Sequence, residues 1–154
     1  MLDKSKIGAQ TEVCEITVEA GVLRLFCQAI GETNPIYLDE AAAREAGYRA
    51  IPAPPTYASV LANLAPPKSN LVLGVLKADL GRMLHGEQGF TQHQPIFVGD
   101  RIRLQQRIAD IYDKKGGALE FVVLETSVTN QNNELCATMQ HGGFIPSATG
   151  PVSP

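Results

Sequence analysis

Ala118-Leu-Glu-Phe-Val-Val-Leu-Glu-Thr-Ser-Val-Thr129 is the stretch on which the fold turns. Its β-branched and aromatic residues favour a long strand. Turn-forming residues bound it on both sides. Lys114-Lys-Gly-Gly117 precedes it and has hairpin-turn composition. Asn130-Gln-Asn-Asn133 follows it and turns the chain again. Outward from these turns lie two more strands, Arg101 to Tyr112 and Glu134 to Ile145. The first carries Ile102, Leu104, Ile108 and Ile111 in imperfect alternation.

Further upstream, Pro95-Ile-Phe-Val-Gly99-Asp100 reads as a turn, and Leu84 to Gln94 reads as a strand. Period two puts His85, Glu87, Gly89, Thr91 and His93 on one face of that strand. The first third of the chain is helical in pattern. Val22, Leu25, Phe26, Ala29 and Ile30 recur at helical spacing from Glu19 to Gly31, where glycine stops the helix. Asp39 can cap a short helix to Ala46, ended by Gly47. A third helix fits Pro55 to Ala65, with Tyr57, Val60, Leu61 and Leu64 as its apolar stripe and Pro66-Pro67 as its stop. Helices followed by a meander of antiparallel strands define an α+β pattern, in which the sheet can wrap round the third helix.

Composition bounds the function. The 154 residues suit a single domain over residues 1–146, with a flexible Pro/Ser/Gly-rich tail over 147–154. Hydrophobic residues at 44% and charged residues at 19% imply a packed core. A net charge of −3 offers no basic excess for gripping phosphates, which argues against nucleic acid. The absence of Trp and 6% aromatics argue against a base-stacking platform. No apolar run approaches the ~20 residues of a membrane span, and MLDKSKIGAQ lacks the apolar stretch of a signal peptide. Cys14, Cys27 and Cys136 have neither paired nor metal-ligand spacing. They are expected to be reduced and mostly buried, in a cytoplasmic protein.

Three segments can carry chemistry. In Ala29-Ile-Gly-Glu-Thr-Asn-Pro-Ile-Tyr-Leu38, a helix ends and Glu32, Asn34, Pro35 and Tyr37 follow at once. A rigid loop after a helix can hold polar groups in fixed positions; the alternative is an ordinary polar turn. In Leu84-His-Gly-Glu-Gln88 and His93, a His–carboxylate pair (His85, Glu87) could do acid–base work near neutral pH. The alternative is a polar face against a partner subunit or at a cleft mouth. A metal ion does not fit. Ligands at positions 85, 87 and 93 of a flat strand span roughly 26 Å at ~3.3 Å per residue. In Pro52-Ala-Pro-Pro-Thr56, free N–H groups at a helix start could polarise a carbonyl oxygen. Pro54 and Pro55 have no N–H, which leaves Thr56 and Tyr57; the alternative is simple helix initiation. His141 reads as an ordinary terminal strand residue.

Taken in order, these segments resemble the MaoC-like dehydratases of the hotdog superfamily, over roughly Glu19 to Ile145. The resemblance implies an antiparallel sheet wrapped around a long central helix. In the (R)-specific enoyl-thioester hydratases the loop reads G-D-x-N-P-x-H, and its Asp and His activate the water added to an enoyl-CoA. Here Glu32 stands at the Asp position and Tyr37 at the His position. Glu32 keeps the charge but shifts it by one methylene, and errors of about 1 Å can cost 10²-fold in rate. A phenol of pKa about 10 is a poor base at neutral pH.

The chain is more similar to the N-terminal-type MaoC dehydratase domains. These show Ala-Pro-Pro-Thr (here Ala53–Thr56), Leu-His-Gly-Glu-Gln (Leu84–Gln88), then His-x-Pro and Gly-Asp (His93–Pro95, Gly99-Asp100). The resemblance implies an enoyl-CoA or acyl-carrier-protein thioester hydratase or 3-hydroxyacyl dehydratase subunit. Glu32, Tyr37 and His85 are the catalytic candidates. Asn34, Pro35, Thr56, Tyr57, Glu87 and His93 are the substrate-binding candidates. The alternative is a non-catalytic acyl-chain-binding subunit that pairs with a competent partner. A hotdog thioesterase, with Glu32 as its carboxylate, is a third reading. No metal or redox cofactor is implied, and a homodimer or a heterodimer with another hotdog subunit is expected.

Overall fold

The computed structural model describes residues 1–146. The tail expected over 147–154 lies outside the described residues. Five strands form one antiparallel sheet: β1 (Cys14–Thr17), β2 (Leu84–Gln92), β3 (Arg101–Lys114), β4 (Leu119–Thr129) and β5 (Leu135–Pro146). Their order across the sheet is β1-β3-β4-β5-β2. The three long strands sit where sequence places them, because the turns between them are dictated residue by residue. Lys115, Gly116 and Gly117 all take positive φ, as the β3–β4 turn requires. At the β4–β5 turn Asn130 is buried, and its Oδ1 accepts from the N–H groups of Asn132 and Glu134. β1 was not legible in the helical first third. It is four residues long and owes its place to pairing with β3 (Cys14 opposite Leu104, Ile16 opposite Ile102).

Helix α1 (Ala20–Ala29) stops where Gly31 takes φ +70°. Helix α2 (Glu40–Glu45) is capped by Asp39, whose side chain accepts from the Ala42 N–H at 2.8 Å. The central helix is a 3₁₀ turn, Pro55–Tyr57, running into α3 (Ala58–Leu64). The prolines set its length. Pro54 and Pro55 remove N–H groups at its start, and Pro66-Pro67 ends it just past Leu64.

The inner face of the sheet carries two hydrophobic clusters. The first packs α1 and the central helix (Leu23, Cys27, Tyr57, Leu61) on Ile102, Leu104, Val128 and Met139. The second packs a π-helical turn, Leu71–Val75, and the N-terminal Leu2 on Ile108, Ile111, Val122 and Leu124. A bulge between Ile108 and Asp110 shifts the register, so Ile111 still points inward. That bulge is why the alternation of β3 reads as imperfect. Cys27 and Cys136 are buried and Cys14 is half-buried, all three as free thiols.

Asp100 ties the sheet to the loops around it. It is 1% exposed. Its carboxylate accepts from the Phe97 N–H at 2.9 Å, from Gln131 Nε2 at 3.0 Å and from the Arg49 guanidinium. Arg49 also lies over the Phe97 ring, 4.2 Å from its centroid. No helix among the described residues is long and apolar enough to cross a membrane.

Candidate functional site

The loop after α1 is rigid, but its polar groups serve the loop itself. Glu32 Oε1 accepts from the N–H groups of Thr33 and Asn34 at 2.9 and 2.8 Å. Asn34 Oδ1 accepts from the Ile36 N–H at 3.2 Å and caps the 3₁₀ turn Pro35–Tyr37. Pro35 opens that turn. Tyr37 is half-buried, and its phenol is held above its ordinary pKa, first by burial and then by the nearby Glu32 charge. It therefore stays protonated at neutral pH. Tyr37 lines a cleft of about 270 Å³ with Leu23, Arg24, Leu38, Ile51 and Val98.

The start of the central helix corrects one expectation. The Tyr57 N–H donates to the Pro54 carbonyl at 2.9 Å, so it is not available to a ligand. Of the two donors expected there, only the exposed Thr56 keeps its N–H without an acceptor among the described residues. The Tyr57 ring is buried edge-on against Phe26, with centroids 5.3 Å apart. Its hydroxyl has no hydrogen-bond partner among the described residues. Burial raises its pKa, so it too stays neutral.

Strand β2 corrects another. A bulge at Gly86 shifts the register between His85 and Glu87. Alternation therefore does not carry from one residue to the other. His85 pairs with Gly143 and stacks on His141, with ring centroids 6.4 Å apart and planes 14° apart. Glu87 instead pairs with Gly142 and packs over it on the opposite face. His85 and Glu87 are not a pair. His93 falls just beyond β2. Its N–H donates to the Cys136 carbonyl at 2.8 Å, and its Nε2 lies 3.1 Å from Thr138 Oγ1. Both bonds hold His93 against β5.

What the fold brings together instead is a cavity of about 480 Å³ between the central helix, the segment after it and the inner face of the sheet. Gln106, Thr126, His141 and Gln88, from β3, β4, β5 and β2, line its floor. Asn63, Val72, Leu80, Met83 and Met139 are among its other lining residues, and Ser59, Ser69 and Asn70 add polar groups on the side facing the floor. A separate small cavity of about 50 Å³ shares Gln106 and Thr126 and is also lined by Thr11 and Cys14. His141 is half-buried, and desolvation followed by the neighbouring His85 lowers its pKa, so the ring is neutral. The cavity shares no lining residue with the Tyr37 cleft. Sequence reasoning missed His141, Gln106 and Thr126. They lie on three strands and meet only through register (Gln106 opposite Thr126, Gln88 opposite His141). The isolated Gly86 inside a strand was the available signal for the bulge.

Comparison with known proteins agrees with this architecture. Residues 5–139 match the family described as FAS1-like, dehydratase domain region. A UPF0336 protein of Saccharopolyspora erythraea is 34% identical over 140 residues, covering 89% of this chain and 86% of the relative. One chain of the C-terminally truncated HadBC (3R-hydroxyacyl-ACP dehydratase) complex of Mycobacterium tuberculosis superposes with a TM-score of 0.73 at 25% identity, covering 90% of this chain and 96% of that one. A MaoC-like dehydratase superposes with a TM-score of 0.80 at 21% identity over 94% of this chain and 43% of its own. With its five-stranded hotdog sheet and this match over most of its length, the chain belongs to the FAS1-like dehydratase-region family, on the hotdog fold of the MaoC-like dehydratases.

Proposed function

We propose that this chain is the acyl-binding subunit of an enoyl-thioester hydratase or 3-hydroxyacyl-thioester dehydratase, and that a second hotdog subunit supplies the groups that activate water. The observation that carries this reading is the state of the Glu32–Tyr37 loop. One Glu32 oxygen is held by two loop N–H groups, and Tyr37 is a neutral phenol where the family pattern has a base. Neither His85 nor Glu87 replaces the missing pair, because the Gly86 bulge separates them. The cavity of about 480 Å³ is of the size that takes a small ligand or acyl chain.

Two features favour a partner. β2 is a sheet edge with nearly every residue exposed, and an open edge favours pairing. Leu64, Leu80 and Leu84 are about half exposed. The HadBC chain cited above is part of a two-component dehydratase, which makes this division of labour a natural one.

A self-sufficient hydratase is the second reading. Glu32 Oε2 has no partner among the described residues, so one carboxylate oxygen is available. Hydration of crotonyl-CoA and of a longer trans-2-enoyl-CoA by the purified chain, followed by loss of enoyl absorbance, separates the two. We expect no turnover by the chain alone and saturable binding of the longer ester. Turnover that vanishes in Glu32→Ala would replace this reading with the second.

A further inference from the structure

The floor of the cavity is polar where an alkyl chain would want it apolar. Gln106, Thr126, His141 and Gln88 form a seam across four neighbouring strands, between the two hydrophobic clusters of the inner face. Their mutual bonding is sparse. Gln106 Nε2 donates to Thr126 Oγ1 at a long 3.4 Å. Among the described residues, the Gln88 amide and the His141 ring have no side-chain hydrogen-bond partner. A saturated chain laid over this seam would strip it of water and return nothing, which is unfavourable for every donor and acceptor covered.

The seam also carries no formal charge. No Lys, Arg, Asp or Glu lines the cavity. A carboxylate on the bound chain would find no cation, and an ammonium would find no anion. Amide, hydroxyl and neutral imidazole groups match one kind of partner: a neutral oxygen that accepts a hydrogen bond, donates one, or does both.

We propose that this cavity selects acyl thioesters bearing a hydroxyl or oxo group beyond the third carbon over chains unsubstituted there, with Gln106, Thr126, His141 and Gln88 as the specificity-determining residues. The inference rests on the acyl-binding reading above and adds the substrate class. A pantetheine arm has amides of the same chemistry, so the test has to separate chain from arm.

The experiment is calorimetric binding to the full chain of decanoyl-CoA and of the positional isomers of hydroxydecanoyl-CoA, with the hydroxyl moved outward from the fourth carbon. These isomers lack the 3-hydroxyl that dehydration needs. At least one isomer should bind about fivefold tighter than decanoyl-CoA, the worth of one well-placed hydrogen bond. Gln106→Leu and, independently, His141→Phe should level that preference, read as the ratio of the hydroxylated ester's affinity to that of decanoyl-CoA. Equal binding of the parent and every isomer overturns the proposal and leaves the acyl-binding reading intact. So does displacement of all esters by free pantetheine at the same concentration whatever the chain, since the seam would then read the arm. Binding of no ester at all overturns both.

Discussion

Glu32 and Tyr37 stand where the hydratase pattern has Asp and His, and the structure gives each a local task. The Glu32 carboxylate folds back onto the Thr33 and Asn34 N–H groups. Asn34 then caps the turn that carries Tyr37. Asn34→Ala should cost about 1 kcal/mol of stability, readable as a lowered denaturation midpoint. An unchanged midpoint would mean that the cap is idle. His141 makes a pH-dependent prediction. Its folded pKa lies below the ordinary 6.5, so the unfolded chain takes up the proton first as pH falls. The stability linked to this ring is therefore complete above about pH 6.5 and is lost as pH falls through the depressed folded value. Melting temperature measured at about pH 7.5 and about pH 5.5 should fall further for the wild type than for His141→Phe. Equal falls would show that His141 is not held neutral. The loop residues were visible in sequence because they are contiguous. The role of His141 is not legible in sequence, because nothing near it in the chain announces its neighbours.

Strand β2 shows how one glycine redirects a whole face. Period two joins His85, Glu87 and His93 on paper. The Gly86 bulge puts His85 on the side of His141 and Glu87 over Gly142, and the strand ends before His93. The Gly142-Gly143 pair makes the matching space on β5. A Cβ on Gly143 would collide with the Met83 methyl and stand 3.4 Å from the Leu84 carbonyl oxygen. Gly143→Ala should destabilise the protein by at most about 1 kcal/mol, since the flexible end of Met83 can move aside, and Met83→Ala in the same chain should recover it. Thermal melts of the single and double variants check this. Additive losses would mean that the two sites do not meet. The segment over the cavity has its own tether. Glu12 accepts from the Lys68 N–H, from the Ser69 N–H at 3.2 Å and from the Ser69 hydroxyl, which pulls its pKa to about 2. Glu12→Gln should speed amide exchange at Lys68 and Ser69 at neutral pH, while exchange in β4 stays as it was. Unchanged exchange at those two amides would sink this role. Such long-range contacts are not legible in sequence, whereas the turns at 114–117 and 130–133 are, because their composition specifies their backbone.

At the scale of the molecule, the α+β order and the three long strands follow from local signals, and the resemblance supplies the hotdog wrapping. The cavity follows from neither. It exists because the inner face is covered in two separate patches, by the central helix on one side and by the Leu71–Val75 turn on the other. The polar seam is what the gap between them exposes. On the function proposed above, an acyl thioester binds in that gap on a chain without its own water-activating pair. The three methionines test it directly. Met83 and Met139 line the cavity, and Met1 is fully exposed at the chain start. Carbon-13 methyl-methionine NMR during titration with decanoyl-CoA should shift the Met83 and Met139 signals together and leave Met1 in place. Saturating acyl-CoA that moves neither cavity methionine would overturn acyl binding in that gap.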